Sequence, residues 1–195
     1  AVPGSRQGRG NRDQNYPARA GKGSAFMGGV REPMMVYWPG ITQGGTQNDQ
    51  RVMIEDFFPT ILELAGITRY ETLQTTDGIS FADVLRQPDL RNERSIVWHF
   101  PNLWGETQNT EEGYGAYSSI LKGDYHLIYT WEEQRLRLYN MKEDLGEYAD
   151  LAEKMPEKVE ELSKELTEYL KARDAQRPAY RSTGALIPYP DGSKE

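Results

Sequence analysis

"GKGSAFMGGVREPMMVYWPG", residues 21–40, sets Lys22 between two glycines and then runs five apolar residues, Met34 to Trp38, between Pro33 and Pro39-Gly40. Continuous apolarity bounded by breakers predicts a short strand covered on both faces, as in a parallel sheet. Downstream, "EDFFPTILELAG" (55–66) predicts a helix. Asp56 is placed to cap it, Pro59 is tolerated in its first turn, Phe58, Ile61, Leu62 and Ala65 form an apolar face, and Gly66 ends it. Strand, loop and helix in this order indicate the end of an α/β unit.

From Ser95 the period changes. "SIVWHF" (95–100), "YSSILKGDYHLIYTW" (117–131) and "RLRLYNM" (135–141) alternate and are rich in β-branched and aromatic residues. They predict three or more antiparallel strands with a hairpin at Lys122-Gly123-Asp124. Pro156 then opens a helix over 156–173, with Met155, Val159, Leu162, Leu166 and Tyr169 or Leu170 on the stripe that meets the sheet. Between these regions, "TTDGISFADVLRQ" (75–87) gives a turn at Asp77-Gly78 and a short helix through Phe81, Val84 and Leu85. The expected organisation is therefore an α/β part over 1–90 and an antiparallel sheet with a long helix over 91–195. Residues 1–32, broken by repeated glycines, read as loop.

The 195 residues carry a net charge of −7, which disfavours a nucleic-acid-binding surface. The charge is unevenly spread. Residues 1–31 hold Arg6, Arg9, Arg12, Arg19, Lys22 and Arg31 against Asp13 alone, whereas residues 142–174 hold eleven acids and six bases. Without cysteine there is no disulfide, thiolate nucleophile or thiolate metal site, and two histidines leave little for zinc. No apolar run approaches the roughly 20 residues of a membrane span, and no signal peptide is visible.

A lysine flanked by glycines can enter a narrow pocket while nearby backbone N–H groups stay open to an anion such as sulfate or phosphate. The same residues also suit a solvated basic loop. They are not a P-loop, because the G-x-x-x-x spacing and the preceding strand are missing. Arg31 could fork onto a carboxylate, which suits a structural salt bridge more than direct substrate contact. His99, beside Trp98, Phe100 and Trp104, is either an aromatic rim that touches a ring or a packed, hydrogen-bonded histidine. His126 reads as a sheet residue. Capping and turn formation account for Asp56 and Asp77. The acids of "YNMKEDLGEYADLAEK" (139–154) read as a turn-rich approach to a solvated helix, and their spacing is not that of an EF-hand loop.

Taken in order, these segments resemble the C-terminal portion of the type I, formylglycine-dependent sulfatases (arylsulfatases), which share the alkaline phosphatase-like fold. The likeness is carried by the glycine-lysine-glycine and Gly-Gly-x-Arg-x-Pro segments with a strand ending in Trp-Pro-Gly. It continues through the Asp-x-x-Pro-Thr helix ending in Leu-Ala-Gly, then "DGIS", "VWHFP", the Lys-Gly-Asp hairpin and "LYNMKEDLGEYADLAEK". It covers nearly the whole chain from about Tyr16. The resemblance implies sulfuric ester hydrolysis, with Lys22 contacting the substrate sulfate, His99 near the substrate, and Arg31 and Asp56 in support. It further implies a sulfated small molecule or glycan as partner and an extracytoplasmic location.

The family's nucleophile motif, Cys/Ser-x-Pro/Ala-x-Arg, has no counterpart; "SRQGR" at Ser5 does not fit it, and Asp13 is not in a metal-ligand context. The formylglycine and the divalent cation, calcium by resemblance, are thus expected in a missing N-terminal part, this chain holding no cofactor or metal ligand of its own. Such a fragment should be inactive alone. Two other functions share these features: a noncatalytic sulfated-glycan-binding or structural module, and a phosphoesterase of the same superfamily. A fragment should also leave Met34–Trp38 and the Phe58–Ala65 helix with exposed apolar surface, since an α/β layer needs both covers.

Overall fold

A computed structural model describes residues 15–91, 93–103 and 109–194. Trp104, Ser5 and Asp13, singled out in the sequence, lie outside the described residues. Two compact units emerge: residues 15–32 together with 94–194, and residues 33–93.

The first unit is built on an antiparallel meander, β1 (Ile96–Phe100), β2 (Tyr117–Lys122), β3 (Tyr125–Thr130) and β4 (Arg135–Asn140), in the order β1-β2-β3-β4. The register aligns Val97, Ile120, Leu127 and Leu138 in one row, and His99, Ser118, Tyr129 and Leu136 in the next row on the same face. The long helix Pro156–Ala172 covers this face. Leu162, Leu166 and Leu170 are buried there, with Met155 and Val159 packed at the margin. Leu170 completes the stripe, while Tyr169 turns outward under the Arg173 guanidinium, 3.6 Å from its ring centre. Lys122 pairs with Glu165 at 2.5 Å, holding the β2–β3 hairpin to the helix.

The opposite face carries Trp98, Ser119, Ile128 and Arg137 in one row, and Ile96, Leu121, His126 and Tyr139 in the next. It too is buried, so β2 and β3 lack the exposed polar side usual in an antiparallel sheet. Its cover comes partly from residues read as loop. Within 15–32 the stretch Met27–Val30 forms a short helix, α1, and Ala25, Phe26 and Met27 are buried. Phe26 meets Tyr139 edge-on at 5.8 Å. Burial pushes the Tyr139 hydroxyl up to about 12.

The second unit contains α2 (Phe57–Leu64) and α3 (Ala82–Arg86), and Pro156–Ala172 is therefore α4. Met34–Trp38 is not a strand: it belongs to no sheet, with Met35 99% and Tyr37 87% exposed. A parallel strand needs neighbours for its N–H and C=O groups, and the sheet formed by the described residues lies in the other unit. The apolar face of α2 is likewise open at Phe58 and Ile61, as expected of an α/β layer lacking one cover.

Asp56 does not cap α2. Its carboxylate accepts the Met53 N–H (2.7 Å) and the Ile79 N–H (2.9 Å), and it is buried. Thr60 donates its hydroxyl to the Asp56 carbonyl and accepts the Phe81 N–H at 3.0 Å. Instead of turning, Asp77-Gly78 passes extended across Glu55, where a Cβ on Gly78 would overlap the Glu55 carbonyl oxygen. The two motifs, Asp-x-x-Pro-Thr and Asp-Gly-x-Ser, thus form one lock.

Truncating Leu166 to Ala should destabilise the protein by about 2–5 kcal/mol, the range for emptying a buried leucine site. Replacing Tyr169, on the outward side of α4, should cost far less. Chemical denaturation of both variants checks the assignment of the stripe.

Candidate functional site

The glycine-lysine-glycine segment is the outer turn of a loop wound upon α1. The Gly28 N–H donates to the Arg19 carbonyl at 2.9 Å, and Asn15 Nδ2 donates to the Gly28 carbonyl at 2.8 Å. Gly28 lies against the Arg19 and Ala20 carbonyls, and Gly29 against those of Ser24 and Gly21; a Cβ at either position would overlap a backbone oxygen. Close backbone approach, more than turn geometry, therefore requires the Gly-Gly pair. Gly23 does need its freedom, with φ at +94°. The result presents Lys22, exposed, on a turn whose flanking carbonyls rest on glycine.

Arg19, Ser24, Ala25 and Met27 fasten the loop to the rest of the first unit. Arg19 donates to the Glu111 carbonyl (2.7 Å), the Glu112 carboxylate (3.0 Å) and the Glu147 carbonyl (3.1 Å). Its guanidinium lies 4.3 Å from the centre of the Phe26 ring. Burial works against its charge, but the hydrogen bond and charge of Glu112 outweigh this and hold its pKa above the ordinary value. Ser24 donates to the Glu112 carbonyl at 2.8 Å, and the Ala25 N–H donates to the Gly113 carbonyl at 2.9 Å. Finally, the Met27 N–H donates to Glu147 Oε2 at 2.6 Å.

The other oxygen of Glu147 accepts from His126 Nδ1 at 2.6 Å, and both side chains are 0% exposed. Glu147 was grouped in the sequence with a solvated acidic approach, and the structure corrects this. Two further acids of that approach hold backbone: Asp144 accepts the Tyr148 and Ala149 N–H groups, and Asp150 that of Leu138. Its acids thus organise a turn. Among the described residues no group of three His, Asp or Glu side chains is arranged to hold a metal ion. The described residues offer the divalent cation implied by the resemblance no ligand set.

His99 lies on the α4 face, whereas the Lys22 loop is fastened to the opposite face; the structure does not bring the two together on one surface. Trp131 Nε1–H donates to Ser118 Oγ (2.9 Å), Ser118 donates to His99 Nδ1 (2.7 Å), and His99 Nε2–H donates to the Gln176 carbonyl (2.9 Å). This direction of donation requires a neutral imidazole. Burial lowers the His99 pKa, against the opposing carbonyl hydrogen bond. Arg31 is exposed just beyond α1, where its backbone N–H donates to the Met27 carbonyl. Asp56 belongs to the other unit, in the lock described above. The pair missed in the sequence, His126 and Glu147, are 21 residues apart on a strand and a turn, a spacing that matches no motif.

The family model for the C-terminal region of N-sulphoglucosamine sulphohydrolase matches residues 22–176. A sulfatase of Formosa agariphila is 32% identical over 185 residues, spanning 90% of this chain and 33% of that protein. Human N-acetylgalactosamine-6-sulfatase is 38% identical over 93 residues, 48% of this chain and 18% of that protein. The crystal structure of Ps i-CgsB superimposes with a TM-score of 0.64 at 22% identity, covering 85% of this chain and 34% of that one. The architecture is the C-terminal portion of the alkaline phosphatase-like sulfatase fold, an antiparallel sheet packed by a C-terminal helix. The chain belongs to the sulfatases, as a member of the N-sulphoglucosamine sulphohydrolase C-terminal family. It spans about a third or less of the length of these curated relatives.

Two outcomes follow from this geometry. Gly29→Ala should displace the Lys22 turn and lower the melting temperature, whereas Gly44→Ala, whose added Cβ meets nothing within 4 Å, should leave both largely unchanged; circular dichroism and limited proteolysis distinguish them. Because the folded-state pKa of His99 is depressed, the unfolded chain binds the extra proton, so its contribution is present above the ordinary imidazole value near 6.5 and is lost as pH falls from there through the lower folded-state value. The denaturation midpoint should therefore drop between pH 7.5 and 5.5 by more in the native protein than in His99→Gln.

Proposed function

We propose that this chain is the C-terminal part of a sulfuric ester hydrolase acting on a sulfated carbohydrate, and that it supplies Lys22 to the substrate's sulfate. The observation that carries the proposal is the loop itself: an exposed lysine on a turn buttressed by Gly28 and Gly29 and fastened by Arg19, Ser24 and Met27 to Glu111, Glu112 and Glu147. A solvated basic loop would need no such buttress. The carbohydrate class is supported by the named relatives, including N-acetylgalactosamine-6-sulfatase and Ps i-CgsB in complex with k-i-k-neocarrahexaose.

In this reading the ammonium of Lys22 neutralises sulfate oxygens as negative charge redistributes during S–O cleavage, and it does so from a position set before substrate arrives. The chain has no cysteine to become formylglycine. That group, which by resemblance supplies the attacking oxygen, and the divalent cation belong with the N-terminal part of the protein, the main partner of these residues. The isolated chain is accordingly inactive. Residues 1–90 are assigned to the end of the catalytic domain, and 91–195 to the C-terminal subdomain. Arg31 supports the loop, and Asp56 supports the helix after it. His99, with both ring nitrogens engaged, would meet substrate only through its ring. Family resemblance supports an extracytoplasmic location. No described helix is long and apolar enough to cross a membrane.

In the full-length protein, Lys22→Ala should reduce kcat/KM for a sulfated sugar by roughly 100-fold, the scale for losing one preorganised charge-stabilising group, without changing the melting temperature. Unchanged kcat/KM would remove Lys22 from the site. Lys22-dependent binding without hydrolysis by the native protein would identify a glycan-binding module instead, and preference for the phosphate ester would identify a phosphoesterase.

A further inference from the structure

Glu147 is the only side chain among those described here that joins the Lys22 loop to the centre of the sheet through a buried carboxylate, and its surroundings show what that costs. It is a non-glycine residue at φ +55°, in the left-handed region that L-residues disfavour. It brings a carboxylate to 0% exposure, an arrangement unfavourable unless every oxygen is engaged. Both oxygens are: one by the Met27 N–H at 2.6 Å, the other by His126 Nδ1 at 2.6 Å. Its backbone carbonyl also accepts from Arg19. A bare packing role for this position would be met by an apolar side chain, with neither desolvation nor strain to offset.

The anchored amide is one residue before Gly28-Gly29, and those glycines bear the carbonyls of Arg19, Ala20, Gly21 and Ser24 on either side of Lys22. A displacement of Met27 is therefore passed by direct backbone contact to the turn that carries the lysine. His126 in turn is held by β3 and by the Trp98 ring, 5.7 Å away edge-on. Its Nε2 finds no hydrogen-bond partner among the described residues, so the imidazole's single polar engagement is with Glu147.

We propose that Glu147, oriented by His126, is the positioning residue for Lys22: the buried carboxylate fixes the Met27 amide and through Gly28-Gly29 sets where the ammonium stands. The proposal rests on Lys22 being a sulfate contact. Glu147 itself touches no substrate, and acts only through the loop.

The test is a double-mutant cycle on kcat/KM in the full-length protein, with Ki for inorganic sulfate as a second readout. Glu147→Gln exchanges charge-assisted hydrogen bonds for weaker neutral ones and loosens the hold on the Met27 amide, and should lower kcat/KM and weaken sulfate inhibition by roughly tenfold, the scale of a weakened charge-assisted hydrogen bond. Combined with Lys22→Ala it should add little, because the carboxylate acts through the lysine. His126→Asn, whose amide can stand in for Nδ1–H, should retain most activity, and His126→Phe should not. If Lys22→Ala alone has no effect, the sulfate-contact reading fails. If Lys22→Ala is impaired but Glu147→Gln is neutral, or the two effects simply add, the positioning role is overturned. Should the Glu147 variants fail to fold, amide exchange in the native protein decides: the Met27 N–H should exchange far more slowly than that of Lys22, and equal rates would overturn the proposal.

Discussion

The carboxylate of Glu147, shared between a histidine in the sheet and a backbone amide of the glycine loop, is the contact on which the arrangement of the first unit turns. An ionisable side chain is normally expelled from so dry a place. Here it is retained with two short hydrogen bonds, and the loop that it captures covers part of one sheet face. Through this contact the residues around Lys22 become part of the folded core, although most of them have no regular secondary structure.

The sheet is consequently sandwiched between unlike covers. On one side α4 supplies the ordinary term, leucines at helical spacing removed from water. On the other, apolar packing by Phe26, Leu121 and Ile128 is joined by polar contacts: Arg137 bonds to the Thr110 carbonyl, His126 to Glu147, and Arg19 to three groups. The first cover accounts for stability, and the second fixes the position of a loop. A hydrogen-bonded cover has one good geometry where a greasy one has several.

Much of this was legible in the sequence because it is local. Period-two alternation marked all four strands, and the leucine spacing marked α4 to within a residue. Legibility ended where partners are remote. Met34–Trp38 has the pattern of a covered strand, but the described residues supply no neighbour to pair with it, so the segment joins no sheet and leaves Met35 and Tyr37 exposed. Asp56 looked like a helix cap and instead ties Met53 to Ile79, a contact 23 residues away. Lys22 stood out in the sequence by its glycine flanks and its family pattern, and the structure adds the buttressed turn on which it is exposed. Glu147 was not, because a buried glutamate in an acidic stretch looks no different from its solvated neighbours. The role of Gly28 and Gly29 was also only half visible: the sequence showed that a close approach was permitted, but not which carbonyls approach.

The most direct test of the account is the crystal structure of the full-length protein with a sulfated sugar bound. The account predicts Lys22 Nζ within about 3 Å of a sulfate oxygen, with the Met27 amide still on Glu147 and the loop unmoved by the ligand. A sulfate group bound away from Lys22, or reached only after the loop has left Glu147, would contradict it.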